Sequence, residues 1–186
     1  MYEVTTASTS DHIIGIHSLQ KLNLKVSLSD EEIDSQGFVT CDHTVELLTA
    51  MNSPYPHIIA LDDKTIAGYA LVMLESFRHD IPVLKSMFEK IDDLQYKGEN
   101  LKNAPYFVMG QVCVAKDHRS QGLFDKMYGH MKKTMRSHFD YCITEIATDN
   151  LRSRKAHSRV GFSDLHSYVD SQSGQSWELV IWDWTD

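Results

Sequence analysis

Between positions 106 and 135 an apolar, β-rich run gives way to a helical stripe across a single glycine, and this junction constrains the fold more than any other stretch. Tyr106, Phe107 and Val108, on to Val114, read as a strand. Gly122 follows a short polar loop, after which Phe124, Met127, Tyr128, Met131 and Met135 line one helical face. Lys126, Lys132, Lys133 and Arg136 fall mostly on the others. A strand that turns directly into a helix belongs to architectures in which helices pack on a sheet.

The rest of the chain extends that pattern. Residues 2–6 read as a strand, and Ser10 followed by Ile13, Ile14, Ile16, Leu19 and Leu22 predicts a capped helix with an apolar stripe. A polar stretch at 29–40 leads to Val45, Leu47, Leu48 and Met51, a second helix that stops before Pro54 and Pro56. Two apolar runs, 57–61 and 65–74, are joined by Asp62, Asp63 and Lys64, which predicts a hairpin. Residues 79–105 break the pattern and predict an amphipathic helix: Asp80 as cap, Pro82 in the first turn, and Ile81, Leu84, Met87, Phe88, Ile91 and Leu94 at helical spacing, closed by polar residues 97–103. Beyond the junction come a strand at 141–148, a short basic helix from Asn150 to Arg159 ended by Gly161, and a final strand at 175–184 after a turn at Gly174. The reading is one α/β domain over 1–186, with strand-helix-strand units at its centre and hairpins elsewhere.

Composition excludes several classes. A chain of 186 residues, 42% hydrophobic and 24% charged, with 9 Gly and 4 Pro, has the make-up of an ordinary globular domain. No apolar run approaches the ~20 residues that span a bilayer, and no secretory leader follows Met1, so a cytoplasmic protein without membrane partners is expected. With 18 Lys plus Arg against 26 Asp plus Glu, the surface field repels phosphate backbones, and nucleic acid is not expected as a partner. Cys41, Cys113 and Cys142 are odd in number and far apart, which fits buried thiols in a reducing compartment better than disulfides. Ten His lack H-E-x-x-H spacing and no Cys pair has zinc-like spacing, so no metal is expected.

The chemistry concentrates in two segments. In Val112-Cys113-Val114-Ala115-Lys116-Asp117-His118-Arg119-Ser120-Gln121-Gly122-Leu123-Phe124, a strand, a loop and a helix start succeed one another. Amides at a helix start lack intrahelical partners and, with the helix dipole, suit diphosphate oxygens. By itself R-x-x-G also fits a plain polar turn. About thirty residues later, after another apolar strand, comes Asn150-Leu151-Arg152-Ser153-Arg154-Lys155-Ala156-His157-Ser158-Arg159-Val160-Gly161-Phe162.

Together these segments resemble the two motifs of the GNAT superfamily of acyl-CoA-dependent N-acyltransferases, [RQ]-x-x-G-x-[GA] and N-x-x-[AS]-x-x-x-Y-x-[KR]-x-G-F. The resemblance implies a GNAT-like domain with a central, mostly antiparallel mixed sheet, flanked by helices and splayed between its fourth and fifth strands, here 106–114 and 141–148. It implies acetyl-CoA as co-substrate. The backbone of Val112 and Val114 would bind pantetheine in the manner of an added strand, and the amides of Arg119, Ser120, Gln121, Gly122, Leu123 and Phe124 would hold the diphosphate. Asn150 would reach the pantetheine arm. Phe124 stands where the family has a small residue, and His157 stands where it has the tyrosine that protonates the leaving thiolate. An imidazolium can donate that proton as well.

The acceptor amine must lose a proton, which calls for a carboxylate or a water chain. None lies between Tyr106 and Ala115. Gln111 orients water at most, which leaves Glu145 on the fifth strand and Glu75 at the end of the third as candidate bases. Cys113 reads as a packing residue, and Trp177, Trp182 and Trp184 suit a sheet edge, a homodimer contact or the acceptor pocket. The expected function is N-acetyl transfer from acetyl-CoA to a primary amine of a small molecule or peptide by direct attack, with the Val112 amide as oxyanion donor and His157 as acid. The alternative is a non-catalytic acyl-CoA-binding sensor. The insertion at 79–105 reads either as part of the acceptor site, with Glu89, Asp92, Asp93 and Glu99 drawing a cationic amine, or as a solvated segment or dimer contact.

Overall fold

The first helix takes its cap from Thr9 rather than Ser10. Thr9 is the last extended residue (φ −131°, ψ 159°), so its side chain is the one that reaches back to accept from His12 N, at 3.2 Å. A computed structural model describes residues 1–29, 31–33, 38–171 and 173–185; part of the polar stretch at 29–40 lies outside the described residues. Its elements begin β1 (Glu3–Thr6), α1 (Ser10–Asn23), α2 (Val45–Asn52), β2 (Ile58–Asp62), β3 (Thr65–Met73) and α3 (Lys85–Asp93). They continue β4 (Gln95–Tyr96), β5 (Glu99–Asn100), β6 (Tyr106–Val114), α4 (Leu123–Met135), β7 (Tyr141–Ala147), α5 (Leu151–Val160), β8 (Ser163–Val169) and β9 (Ser176–Asp183). Seven strands form one mixed sheet in the order β1-β2-β3-β6-β7-β9-β8, parallel where β6 meets β7. The backbone groups into two compact units, 1–73 with 109–134 and 74–108 with 135–186.

In the first unit β1, β2 and β3 form an antiparallel meander, with Val4 opposite Ala60 and Ile59 opposite Tyr69. The expected three-residue connection is tighter than read, since Asp62 and Thr65 pair and Asp63 takes a positive φ of 52° between them. Helix α1 packs on β3 and buries Ile13, Ile16 and Leu19; α2, capped by Thr44, packs on both and buries Leu48 and Met51. His57 ties these layers together. Its Nδ1 accepts from Val72 N at 3.1 Å and its Nε2 donates to Leu48 O at 3.0 Å, which fixes the neutral tautomer in a fully buried ring. Met127, Tyr128 and Met131 of α4 are fully buried, each worth roughly 1.5–3 kcal/mol by the area it removes from water.

In the second unit the insertion departs from its expected form. Asp80 closes a 3-10 turn at Glu75–His79 instead of capping a helix, and Pro82–Leu84 is a second such turn. Only then does α3 begin, with no side-chain cap, burying Met87, Phe88 and Ile91. The polar residues 97–103 are not a plain loop. Lys97 and Gly98 both take positive φ (50° and 87°), which closes a two-residue hairpin between β4 and β5. β8, an element absent from the sequence reading, is mostly exposed and lacks apolar alternation; pairing with β9 and a bulge near Leu165 specify it. Phe107 packs on Phe139 and Trp184, and Trp182 on Phe162, so two of the three tryptophans serve this unit's core. Among the described residues no helix is long and apolar enough to cross a membrane.

Candidate functional site

The loop at 119–122 is built to gather amides. Ser120 (φ 61°) and Gly122 (φ 71°) are left-handed on either side of Gln121, the alternation that turns successive N–H groups into one concavity. At Gly122 nothing lies within 4 Å of where a Cβ would be, so the space beside it is open. Helix α4 starts at once: Lys126 N donates to Gly122 O at 3.1 Å, and no carbonyl within the helix reaches the amides of Gly122 and Leu123. Phe124, in the place of a small residue, lays its ring on Tyr128 with centroids 4.8 Å apart.

Arg119 fixes this loop from behind. Its Nε donates to Val114 O at 3.0 Å and its terminal nitrogen to Asn23 Oδ1 at 2.8 Å, while Asn23 Nδ2 donates to Leu19 O. The arginine side chain is thus committed to the end of β6 and to α1, and the loop's contribution to an anion is its backbone. On β6, Ala115 N donates to Ala67 O of β3, so strand alternation turns the amides of Val112 and Val114 toward the opposite edge. Gln111 is buried. It accepts from Tyr69 Oη and donates from Nε2 to Cys41 O at 2.8 Å, a structural tether with both amide atoms engaged. Burial pushes the neighbouring Cys113 thiol up to about 12, which leaves it protonated and inert.

In the second unit Asn150 caps α5 by accepting from Ser153 N at 3.1 Å. This use of the side-chain oxygen leaves the chemistry of its Nδ2 that of a donor. Gly161 ends the helix at φ 119°, where a Cβ would sit 2.6 Å from Trp182 Nε1, so conformation and space both require glycine. His157 is 2% exposed and its ring is edge-on to Phe162. Nδ1 donates to Ser153 O at 2.8 Å, and loss of hydration brings the ring down to about 4. The sequence reading offered His157 as an acid in its imidazolium form; at neutral pH this environment holds a neutral ring whose Nδ1 proton belongs to its own helix.

The two candidate carboxylates lie in different surroundings. Glu75 Oε1 is 2.9 Å from an Arg78 nitrogen, and the same guanidinium grips Asp92 through two bonds of 2.7 and 2.9 Å and lies 5.0 Å over the Phe88 ring. That cluster anchors the insertion. Glu145 of β7 is partly buried, and loss of hydration raises it to about 7, against which a hydrogen bond from Tyr168 Oη of β8 pulls down. A carboxyl poised there is half ionised at neutral pH and can take a proton. Tyr168 also lines a cavity of about 530 Å³ with Ser86, Glu89, Asp93 and Asp170. The sequence reading missed Tyr168 because β8 carries no strand pattern, and it missed Asn23 because only the fold brings α1 to Arg119. No group of three or more metal-ligating side chains is found among the described residues.

The sequence profile of the Acetyltransferase (GNAT) family matches residues 25–162. Solved structures share the fold over nearly the whole chain. The NatC complex bound to Gag peptide and CoA has a TM-score of 0.67 and 13% identity, covering 99% of each chain. The yncA protein of Salmonella typhimurium with its cofactor acetyl-CoA has a TM-score of 0.66 and 12% identity, covering 100% of this chain and 95% of that one. The ribosomal-protein-S18-alanine N-acetyltransferase of Escherichia coli follows at 0.63 and 8%, covering 98% and 94%. No curated protein sequence matches.

Proposed function

Because the chain belongs to the GNAT family of acetyltransferases, we propose that it transfers the acetyl group of acetyl-CoA to a primary amine of a small molecule or peptide, by direct attack of the amine on the thioester. The observation that carries this reading is the loop around Ser120 and Gly122, an amide concavity at a helix start that suits a diphosphate. The amides of Arg119, Ser120, Gln121, Gly122, Leu123 and Phe124 take the diphosphate. Val112 and Val114 pair with pantetheine through the edge that does not face β3, with the Val112 amide as oxyanion donor. Asn150 gives Nδ2 to the same arm while its oxygen stays with α5. Glu145 accepts the amine proton, and Glu75 serves the insertion through Arg78 instead. Placement of amine and thioester supplies most of the acceleration.

A second reading, a sensor that binds acyl-CoA without turnover, draws support from His157, whose neutral, enclosed ring is poorly suited to protonate a thiolate. Thiol release from acetyl-CoA in the presence of an amine panel separates the two. Turnover with at least one amine is expected, together with a ~10²–10⁴-fold lower rate in Glu145→Gln. Binding of acetyl-CoA without thiol release from any amine would favour the sensor.

A further inference from the structure

We propose that Tyr168, which lines the cavity beside α3, is the positioning residue for Glu145: its hydroxyl donates to the carboxylate, orients it and favours its ionised form. The inference rests on the reading of Glu145 as the proton acceptor.

Register brings the two together. Glu145 lies opposite Leu179 of β9, and Tyr168 lies opposite Trp177 two residues away, so all four share one face of the sheet. Tyr168 therefore reaches diagonally over the intervening strand, past apolar Leu179 and Trp177, to Glu145 Oε2. A tyrosine on an edge strand ordinarily keeps its hydroxyl in water. Here Tyr168 lines the cavity and its hydroxyl is committed to a carboxylate instead. Such a charge-assisted bond stabilises the ionised partner where hydration is lost.

Other groups facing this region act in both directions. Asp170, latched to α3 by Ser86 Oγ at 2.6 Å, disfavours a second negative charge at Glu145. Glu89, Lys90, Asp92, Asp93 and Lys102 line the same cavity as Tyr168, and Asp92 is paired with Arg78. His166 shares the face from β8, in register with Leu179. Tyr168 is the group that bonds Glu145 itself, so its removal acts on the carboxyl directly.

Carboxyl NMR of protein labelled with [δ-¹³C]glutamate tests this without a known acceptor. The resonance lost in Glu145→Gln is assigned to Glu145 and titrated in wild type and in Tyr168→Phe. Its midpoint is expected to rise by about one pH unit or more in Tyr168→Phe, a tenfold loss of carboxylate at a given pH. 3-Fluorotyrosine at position 168, a stronger donor of nearly the same shape, is expected to lower it. An unmoved midpoint, or a rise in both variants, overturns the proposal. With an amine that supports thiol release, the acid limb of kcat/KM should move with the Tyr168→Phe midpoint and the rates converge at high pH. A uniform loss at every pH would mark a merely structural role. If Glu145→Gln turns over like wild type, the base reading falls and takes the Tyr168 role in turnover with it. If Glu145→Gln is inactive while the Tyr168→Phe midpoint stays put, only the Tyr168 inference falls.

Discussion

Gly122 and His157 show how much one position can carry. The left-handed φ of Gly122 is open to asparagine and aspartate at modest cost, and no neighbour crowds the site. The two substitutions have nearly the same shape and differ by one charge. Gly122→Asn should fold and bind acetyl-CoA, whereas Gly122→Asp should bind it at least tenfold more weakly, ~1.4 kcal/mol, in a calorimetric titration. Equal affinities would remove the diphosphate from this loop. His157 was legible as a departure from a motif, but its state was not. Sequence places Arg154, Lys155 and Arg159 around it, which suggests a surface ring. The fold turns it inward against Phe162 instead, and loss of hydration, more than neighbouring charge, sets its proton affinity.

At the level of elements, α4 and α5, marked by periodicity and punctuation, were read as helices, whereas those defined by a distant partner were missed. Helix α4 announces itself through its methionines and α5 through Asn150 and Gly161. β8 depends on β9 for its existence, and the hairpin at Lys97 and Gly98 depends on two residues adopting positive φ, which lysine seldom does. The insertion is the instructive case: its apolar positions were found, but its anchor was not, because Arg78 lies outside the helix it secures. Arg78→Gln leaves the Asp92 carboxyl without its bidentate partner and removes the cation over Phe88. Hydrogen exchange of the amides at 87–92 should then quicken by roughly tenfold or more, for a loss of ~1.5–3 kcal/mol. Exchange matching wild type would mean that apolar packing alone holds α3.

For the molecule as a whole, the buried histidines couple folding to pH. His43, His57 and His157 are each brought down to about 4 by burial, against an unfolded value near 6.5. As pH falls from 6.5 toward 4, the unfolded chain takes up three protons that the folded one refuses, and stability is lost over that window. Glu145 acts the other way, since its raised value contributes stability below about 4.5 that disappears as pH rises to about 7. Among these four groups the net difference between pH 6.5 and 4.5 is two protons, so their contribution to unfolding free energy should fall by up to roughly 3 kcal/mol per pH unit as the solution is acidified. Urea denaturation at pH 7, 6 and 5 measures this; a flat profile would mean that these rings are hydrated in the folded protein.

The two compact units are both discontinuous in sequence: one needs residues 1–73 and 109–134, the other 74–108 and 135–186. A nascent chain therefore completes neither when its first 108 residues have emerged, even though those already hold β1 to β5 and the helices between them. The first unit is complete only once residue 134 has emerged, and the second only once residues up to 186 have emerged. During translation the face of β3 at Gly68, against which Met127 of α4 packs, is completed only after the insertion is already outside the ribosome, a vectorial delay that raises the cost of closing the first unit through its topology more than through any single residue.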